Sequence, residues 1–198
     1  MYLILILFSF ILSNDSNCSV ENSNANSRSI YDLGQTLSDE DQNIPFPVCN
    51  GSGEYQTGDN FSFSDLNGDI NGGDYKISII SMNATWWPAC YEYISLMDEL
   101  IEFIDADERL EFVVSLDYSN YGGQQYTCSQ WADLYSELGD YGNNPLILDT
   151  DPDRYIWNMF AGYSYSAYAF LDHNMVLRYK FDSPNYYTFT NIYIPNLI

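Results

Sequence analysis

Positive charge is what this sequence has least of: its 198 residues hold 6 Lys+Arg against 28 Asp+Glu, a formal net charge of −22. Nucleic acid is excluded as a partner, because duplex binding depends on Lys and Arg neutralising phosphates. Anionic membrane surfaces repel the chain for the same reason. The single histidine, His173, can build neither a zinc site nor a catalytic triad alone. Long apolar runs are also missing. The longest, Met1 to Leu12, is far short of the roughly 20 residues that a spanning helix needs, so no membrane span is expected. Against these absences stand 46% hydrophobic and 17% aromatic residues, with 19 Tyr and 11 Phe. That is ample for a packed core and excludes wholesale disorder. The length suits one domain with appendages.

Residues 1–16 read as a signal peptide, with Met1 to Leu12 as its apolar region, although no Lys or Arg precedes it. Cys18 leaves a lipoprotein leader open, and equally an ordinary residue in a flexible leader. Residues 17–53, rich in Asn, Ser, Asp and Glu and carrying Pro45 and Pro47, are expected to be a disordered polar tether. Residues 54–198 form the expected domain. A tether behind an export signal implies an extracytoplasmic location (periplasmic, cell-surface or secreted), where disulfides persist. Cys18, Cys49, Cys90 and Cys128 allow three full pairings that the sequence does not rank.

Within the domain, Phe61 to Ser64 alternates at period two and leads into the turn residues Asp65 to Asp69, an entry strand and a turn. Tyr75 to Met82 is a short apolar run, read as a central strand. From Tyr91 the period changes. Ile94, Met97, Leu100, Ile101 and Ile104 fall three or four apart among acidic residues, which predicts an amphipathic helix to about Asp105, and Pro88 suits a first turn. Leu110 to Leu116 is the second central strand, Cys128 to Leu138 a second helix, and Pro145 to Asp149 a third strand. Arg154 to Phe160 makes a short helix. Ala167 to Asp172 and Met175 to Phe181 form a hairpin around His173-Asn174, and the aromatic tail from Asn185 is a short packing helix. No internal repeat is visible. This order predicts an open α/β sheet with helices on both faces. Such sheets bind ligands beyond the carboxyl ends of their strands, which places the site at Asn83 to Cys90.

Ala84-Thr85-Trp86-Trp87-Pro88-Ala89-Cys90 resembles the active-site turn of the thioredoxin-like superfamily, Ala-Thr-Trp-Cys-x-x-Cys after a hydrophobic strand. Asp59 to Gly68 looks like the opening of its redoxin branch, which includes alkyl hydroperoxide reductase/thiol-specific antioxidant and secreted thiol-disulfide oxidoreductases. Pro145 to Asp149 and Ala169 to Val176 are similar to later strands of that branch. The resemblance spans about Gly58 to Phe181. It implies a thioredoxin-like fold, a central mixed sheet of about five strands with helices on both faces. It also implies thiol-disulfide or peroxide chemistry, with protein or peptide thiols, or peroxide, as partners and no cofactor.

Two departures bear on that chemistry. The family's first, nucleophilic Cys falls at Trp87, and an indole cannot form a disulfide. The family's cis-proline position falls at Ser166, whose peptide is normally trans because a non-proline cis bond costs about 3 kcal/mol. What the resemblance leaves is Cys90, at the second-Cys position in a helix first turn that favours thiolate, with a buried inert thiol as the alternative. Cys128 opens the next helix and is the candidate resolver, or part of a structural staple. Thr85, Trp86, Trp87, Pro88 and Ser166 are the candidate substrate-binding residues. Trp86, Trp87, Tyr91 and Tyr93 can form an aromatic platform or simply pack. Asp65-x-Asn67-x-Asp69-x-Asn71 departs from a calcium loop at Ile70 and Lys76, and Asp149-x-Asp151-x-Asp153 coincides with a polar turn, so no metal is assigned. Three readings follow: an exported single-Cys thiol oxidoreductase or peroxidase, a non-catalytic module binding a peptide or protein in the altered groove, and a tethered surface protein with no site.

Overall fold

A computed structural model describes residues 30–117, 125–150, 153–161, 164 and 166–198. The leader, Cys18 and Asp151 lie outside the described residues. The elements in chain order are α1 (Asp39–Gln42), β1 (Phe46–Asn50), β2 (Asn60–Phe61), α2 (Gly68–Asn71), β3 (Ile77–Ala84), α3 (Pro88–Glu92), α4 (Ile94–Asp105), β4 (Leu110–Asp117), α5 (Cys128–Leu138), β5 (Leu146–Asp149), α6 (Tyr155–Phe160), β6 (Ala167–Leu171), β7 (Leu177–Phe181) and α7 (Tyr186–Thr188). The strands form one mixed sheet in the order β2-β1-β5-β4-β3-β6-β7. β3 and β5 run parallel to β4, while β1 and β6 join antiparallel. β3 is buried along its whole length, which is why its sequence is largely apolar on both faces, with Ser78, Ser81 and Asn83 buried among the apolar residues.

Each sheet face carries its own apolar layer. On one, Ile80, Met82, Val113 and Leu148 meet Phe61, Phe63 and the α6 residues Ile156 and Phe160. On the other, Ile79, Val114 and Ile147 meet α4, α5 and the C-terminal residues Phe189 and Ile194. Phe170, Phe181, Phe189 and Tyr193 pack there as an aromatic cluster, with centroids of Phe170 and Phe189 4.9 Å apart. The buried Asp98 of α4 takes three backbone amides of the next loop, from Tyr141, Gly142 and Asn143 at 2.8, 3.3 and 2.7 Å. That network removes the cost of burying a bare carboxylate. Gly139 is needed beside it, since a Cβ there would lie 2.3 Å from the Asp98 carboxyl carbon.

Residues 30–53, expected to belong to a polar tether, are part of the folded body, and the sheet has seven strands rather than about five. The physical reason is placement rather than composition. Tyr31, Leu37, Phe46 and Val48 are few, yet each is buried in the first apolar layer. Residues 34–37 also run along β7, where Leu37 N–H donates to Met175 O at 3.0 Å and Leu177 N–H to Gln35 O at 2.8 Å. The free edge of the sheet is thereby partly covered. The entry strand expected over Phe61 to Ser64 ends at Phe61. Ser62 N–H donates to Asp65 Oδ2 at 2.8 Å, and this local bond turns Phe63–Leu66 into a 3-10 helix.

Candidate functional site

The site forms where β3 and β4 end together, Ala84 being in register with Asp117. Thr85 N–H donates to Asp117 O at 3.1 Å and Trp87 N–H to Ala84 O at 3.0 Å, so the chain turns tightly out of the sheet. Pro88 then occupies the first position of α3, where its missing N–H costs nothing. Helical hydrogen bonding passes through Tyr93 into α4, with Tyr93 N–H on Ala89 O and Met97 N–H on Tyr93 O. Trp86 and Trp87 meet edge to face at 5.7 Å. Trp87 is 39% exposed and Tyr91 36%. Tyr91 stacks on Tyr126 at 6.0 Å, and Tyr126 leans on the buried Trp131 at 5.7 Å. Trp131 Nε1 donates to Asn83 Oδ1 at 3.3 Å, which fixes this aromatic ladder to the end of β3. Tyr91, Tyr126 and Trp131 thus form one run of ring contacts, and Trp86 with Trp87 a separate pair.

Cys90 lies behind that surface, only 2% exposed. Burial pushes its thiol up to about 11, against the lowering effect of the Ala84 amide and the Ser166 hydroxyl. Ala84 N–H donates to Sγ at 3.4 Å. The helix-start thiolate expected there is not what the surroundings favour. α3 is only five residues long, and desolvation outweighs the donors around the sulfur. The phenols of Tyr135 and Tyr168, both buried, stand near the thiol, and burial raises both.

Cys128 does not pair with Cys90. It is bonded to Cys49, with Cα atoms 6.1 Å apart and 79 residues between them in sequence. β1 lies beside β5 and delivers Cys49 to the first turn of α5, so the supposed tether supplies the partner. Thr127 and Gln130 form a capping box at that turn.

Ser166 lies beside Cys90, and a wired support holds it there. Asp117 Oδ2 meets Arg154 Nε at 2.6 Å, and the Arg154 guanidinium lies 4.2 Å over the Trp157 ring. Trp157 Nε1 donates to Ser164 O at 2.9 Å, and Ser164 Oγ donates to Ser166 O at 2.9 Å. Sequence reading missed Asp117, Trp157 and Ser164, and took Arg154 only as the start of a helix. The scarcity of cations was the available signal: in a chain with six, one next to a Trp-containing helix has a buried acid to find. Thr85 is buried and its Oγ1 has no hydrogen-bond partner among the described residues.

The acidic turn at Asp65 to Asn71 serves the backbone, whereas Asp151 of the second lies outside the described residues. Asn67 Oδ1 caps Asp69 N–H, Asn71 Oδ1 takes Gly73 and Asp74 N–H, and Asp69 Oδ1 takes the Tyr75 hydroxyl at 2.7 Å. Among the described residues no three His, Cys, Asp or Glu gather as a metal site would require.

No protein-family model matches this chain, and no curated protein matches it in sequence. Solved structures do. MTB dsbF matches at a TM-score of 0.57 and 15% identity, over 82% of this chain and 100% of its own. A putative protein disulfide isomerase from Bacteroides thetaiotaomicron matches at 0.58 and 10%, over 86% and 93%. A yeast mitochondrial 1-Cys peroxiredoxin matches at 0.58 and 11%, over 83% and 76%. The chain has the thioredoxin-like α/β fold that its sequence resemblance implied.

Proposed function

We propose that this thioredoxin-fold protein is a non-catalytic module that docks an extended peptide or protein segment in the groove formed by Thr85, Trp86, Trp87, Pro88 and Ser166. The observation that carries the reading is the state of the sulfurs. Thiol-disulfide exchange needs an accessible thiolate and a second thiol to resolve the mixed disulfide. Here the first position is Trp87, Cys90 is buried with its thiol pushed up to about 11, and Cys128 is bonded to Cys49. What is left at the surface is aromatic area, which suits capture of a side chain rather than electron transfer. The apolar run at Met1 to Leu12 and the Cys49–Cys128 disulfide both support an exported protein.

One observation favours the oxidoreductase reading that the fold brings with it: Ala84 N–H and the Ser166 hydroxyl both lower the Cys90 thiol, as donors to a reactive sulfur would. A single experiment separates the two. The purified protein and its Cys90→Ser variant are treated with peroxide and with a dithiol reductant, followed by mass accounting of each sulfur. Docking predicts an inert Cys90 and equal Trp86/Trp87 fluorescence responses to peptide in both proteins. A reversible sulfenic acid at Cys90, or turnover lost in Cys90→Ser, would establish the redox reading instead.

A further inference from the structure

Resting on the docking reading, we infer that the docked segment is cationic, a Lys- or Arg-rich stretch of a protein partner whose positive groups lie on the rings of Trp87 and Tyr91. The distribution of charge around the groove carries the inference. No Lys or Arg occurs in residues 77–108 or 110–153, so α3, α4 and α5 are entirely without cations. Their exposed carboxylates are Glu92 on α3, Asp133 and Glu137 on α5, and Glu102 and Asp105 at the far end of α4, towards the amino end of β4. Arg109, between the two stretches, is tied to Asp107 at 2.6 Å. Arg154, near the groove, is taken up by Asp117 and Trp157.

The helical surface flanking the exposed rings therefore offers the carboxylates of Glu92 and Asp133 and no Lys or Arg of α3, α4 or α5. A surface of one sign raises the local concentration of oppositely charged segments and speeds their encounter. Trp and Tyr faces are also the preferred aromatic partners for guanidinium and ammonium groups. Both terms select the same ligand chemistry. An acidic segment meets repulsion, and a neutral one gains only ring contact.

The test uses the full chain and three extended peptides of one design, with Lys, Gln or Glu at alternate positions, followed by tryptophan fluorescence and calorimetry. The Lys peptide is expected to bind, to lose about tenfold in affinity between roughly 0.02 M and 0.5 M NaCl, and to exceed the Gln peptide clearly. Trp87→Ala should weaken it by roughly two- to fivefold. Glu92→Lys with Asp133→Lys should weaken it more than Asp39→Lys, which lies with α1 on the other face of the sheet. Equal binding of the Gln peptide, no salt dependence, or an Asp39→Lys effect as large as the groove variants overturns the cationic assignment while leaving docking intact. No response to any of the three, nor to a random-sequence peptide mixture, overturns the docking reading and this inference with it.

Discussion

β4 carries a buried or half-buried carboxylate near each end, and the two are held very differently. At its carboxyl end, Asp117 touches Arg154 at 2.6 Å, and a Trp157 ring covers the guanidinium. At its amino end, Glu111 faces Lys76 at 3.9 Å across a cleft of about 210 Å³. Burial pushes Glu111 up to about 7, with Lys76 opposing and Asp105, Glu54 and Asp74 adding to the rise. Both acids sit on one rigid strand with one cation each. The planar guanidinium, packed against a ring, makes a contact that a flexible ammonium set among several carboxylates does not. One end of the strand is thus a fixed frame for the groove, and the other is a titrating cleft.

The comparison can be broken most severely at Arg154. Arg154→Met leaves the Asp117 carboxylate buried without its cation and should cost about 3–5 kcal/mol in denaturant unfolding. Adding Asp117→Asn should recover much of that loss, because the stranded charge goes with it. A small effect of Arg154→Met alone contradicts the account of the frame.

Glu111 gives the next largest effect, and its sign is fixed. The folded state holds the proton more tightly than the unfolded chain, whose Glu titrates near 4.5. Its contribution is therefore fully present below about pH 4.5 and lost as pH rises through about 7. The penalty at pH 8 is up to about 3 kcal/mol. Glu111→Gln should flatten stability between pH 4.5 and 8 and stabilise the protein at the alkaline end. Unchanged pH dependence in unfolding curves would show that another group carries it.

Lys76→Met should have the smallest effect, under about 1 kcal/mol in stability at pH 6, since a 3.9 Å contact near solvent is a weak pair. Its use is to sharpen the contrast. Lys76 lowers the Glu111 carboxyl, so its removal should move the Glu111 midpoint further upward, read by carbon-detected titration of that side chain.

The same contrast between local and distant signals explains what the sequence revealed. β3 through α4 was legible because a buried run gives way to a three-and-four spacing at Ile94, Met97 and Leu100, and those residues do face the core. Cys128 to Leu138 was found with its bounds intact for the same reason. The turn at Ala84 to Cys90 was legible because its residues are contiguous. Residues 30–53 were misread because averaging over a polar stretch hides Phe46 and Val48, whose alternation suffices for a strand against β5. The Cys49–Cys128 bond and the Asp117–Arg154 pair join residues 79 and 37 positions apart, and only the folded sheet brings them together. Burial of Cys90, one of the two readings the sequence left open, depends on distant residues: Ser166, Tyr168 and Tyr135 enclose it from two other elements.

The central claim is that Cys90 is a buried thiol in a docking groove, and its alkylation tests this most directly. Iodoacetamide labelling of the native protein, resolved by mass spectrometry across pH, should give slow modification at neutral pH. Its rate should rise towards a midpoint near 11. Rapid labelling with a midpoint at or below neutrality would contradict the account and return Cys90 to redox chemistry.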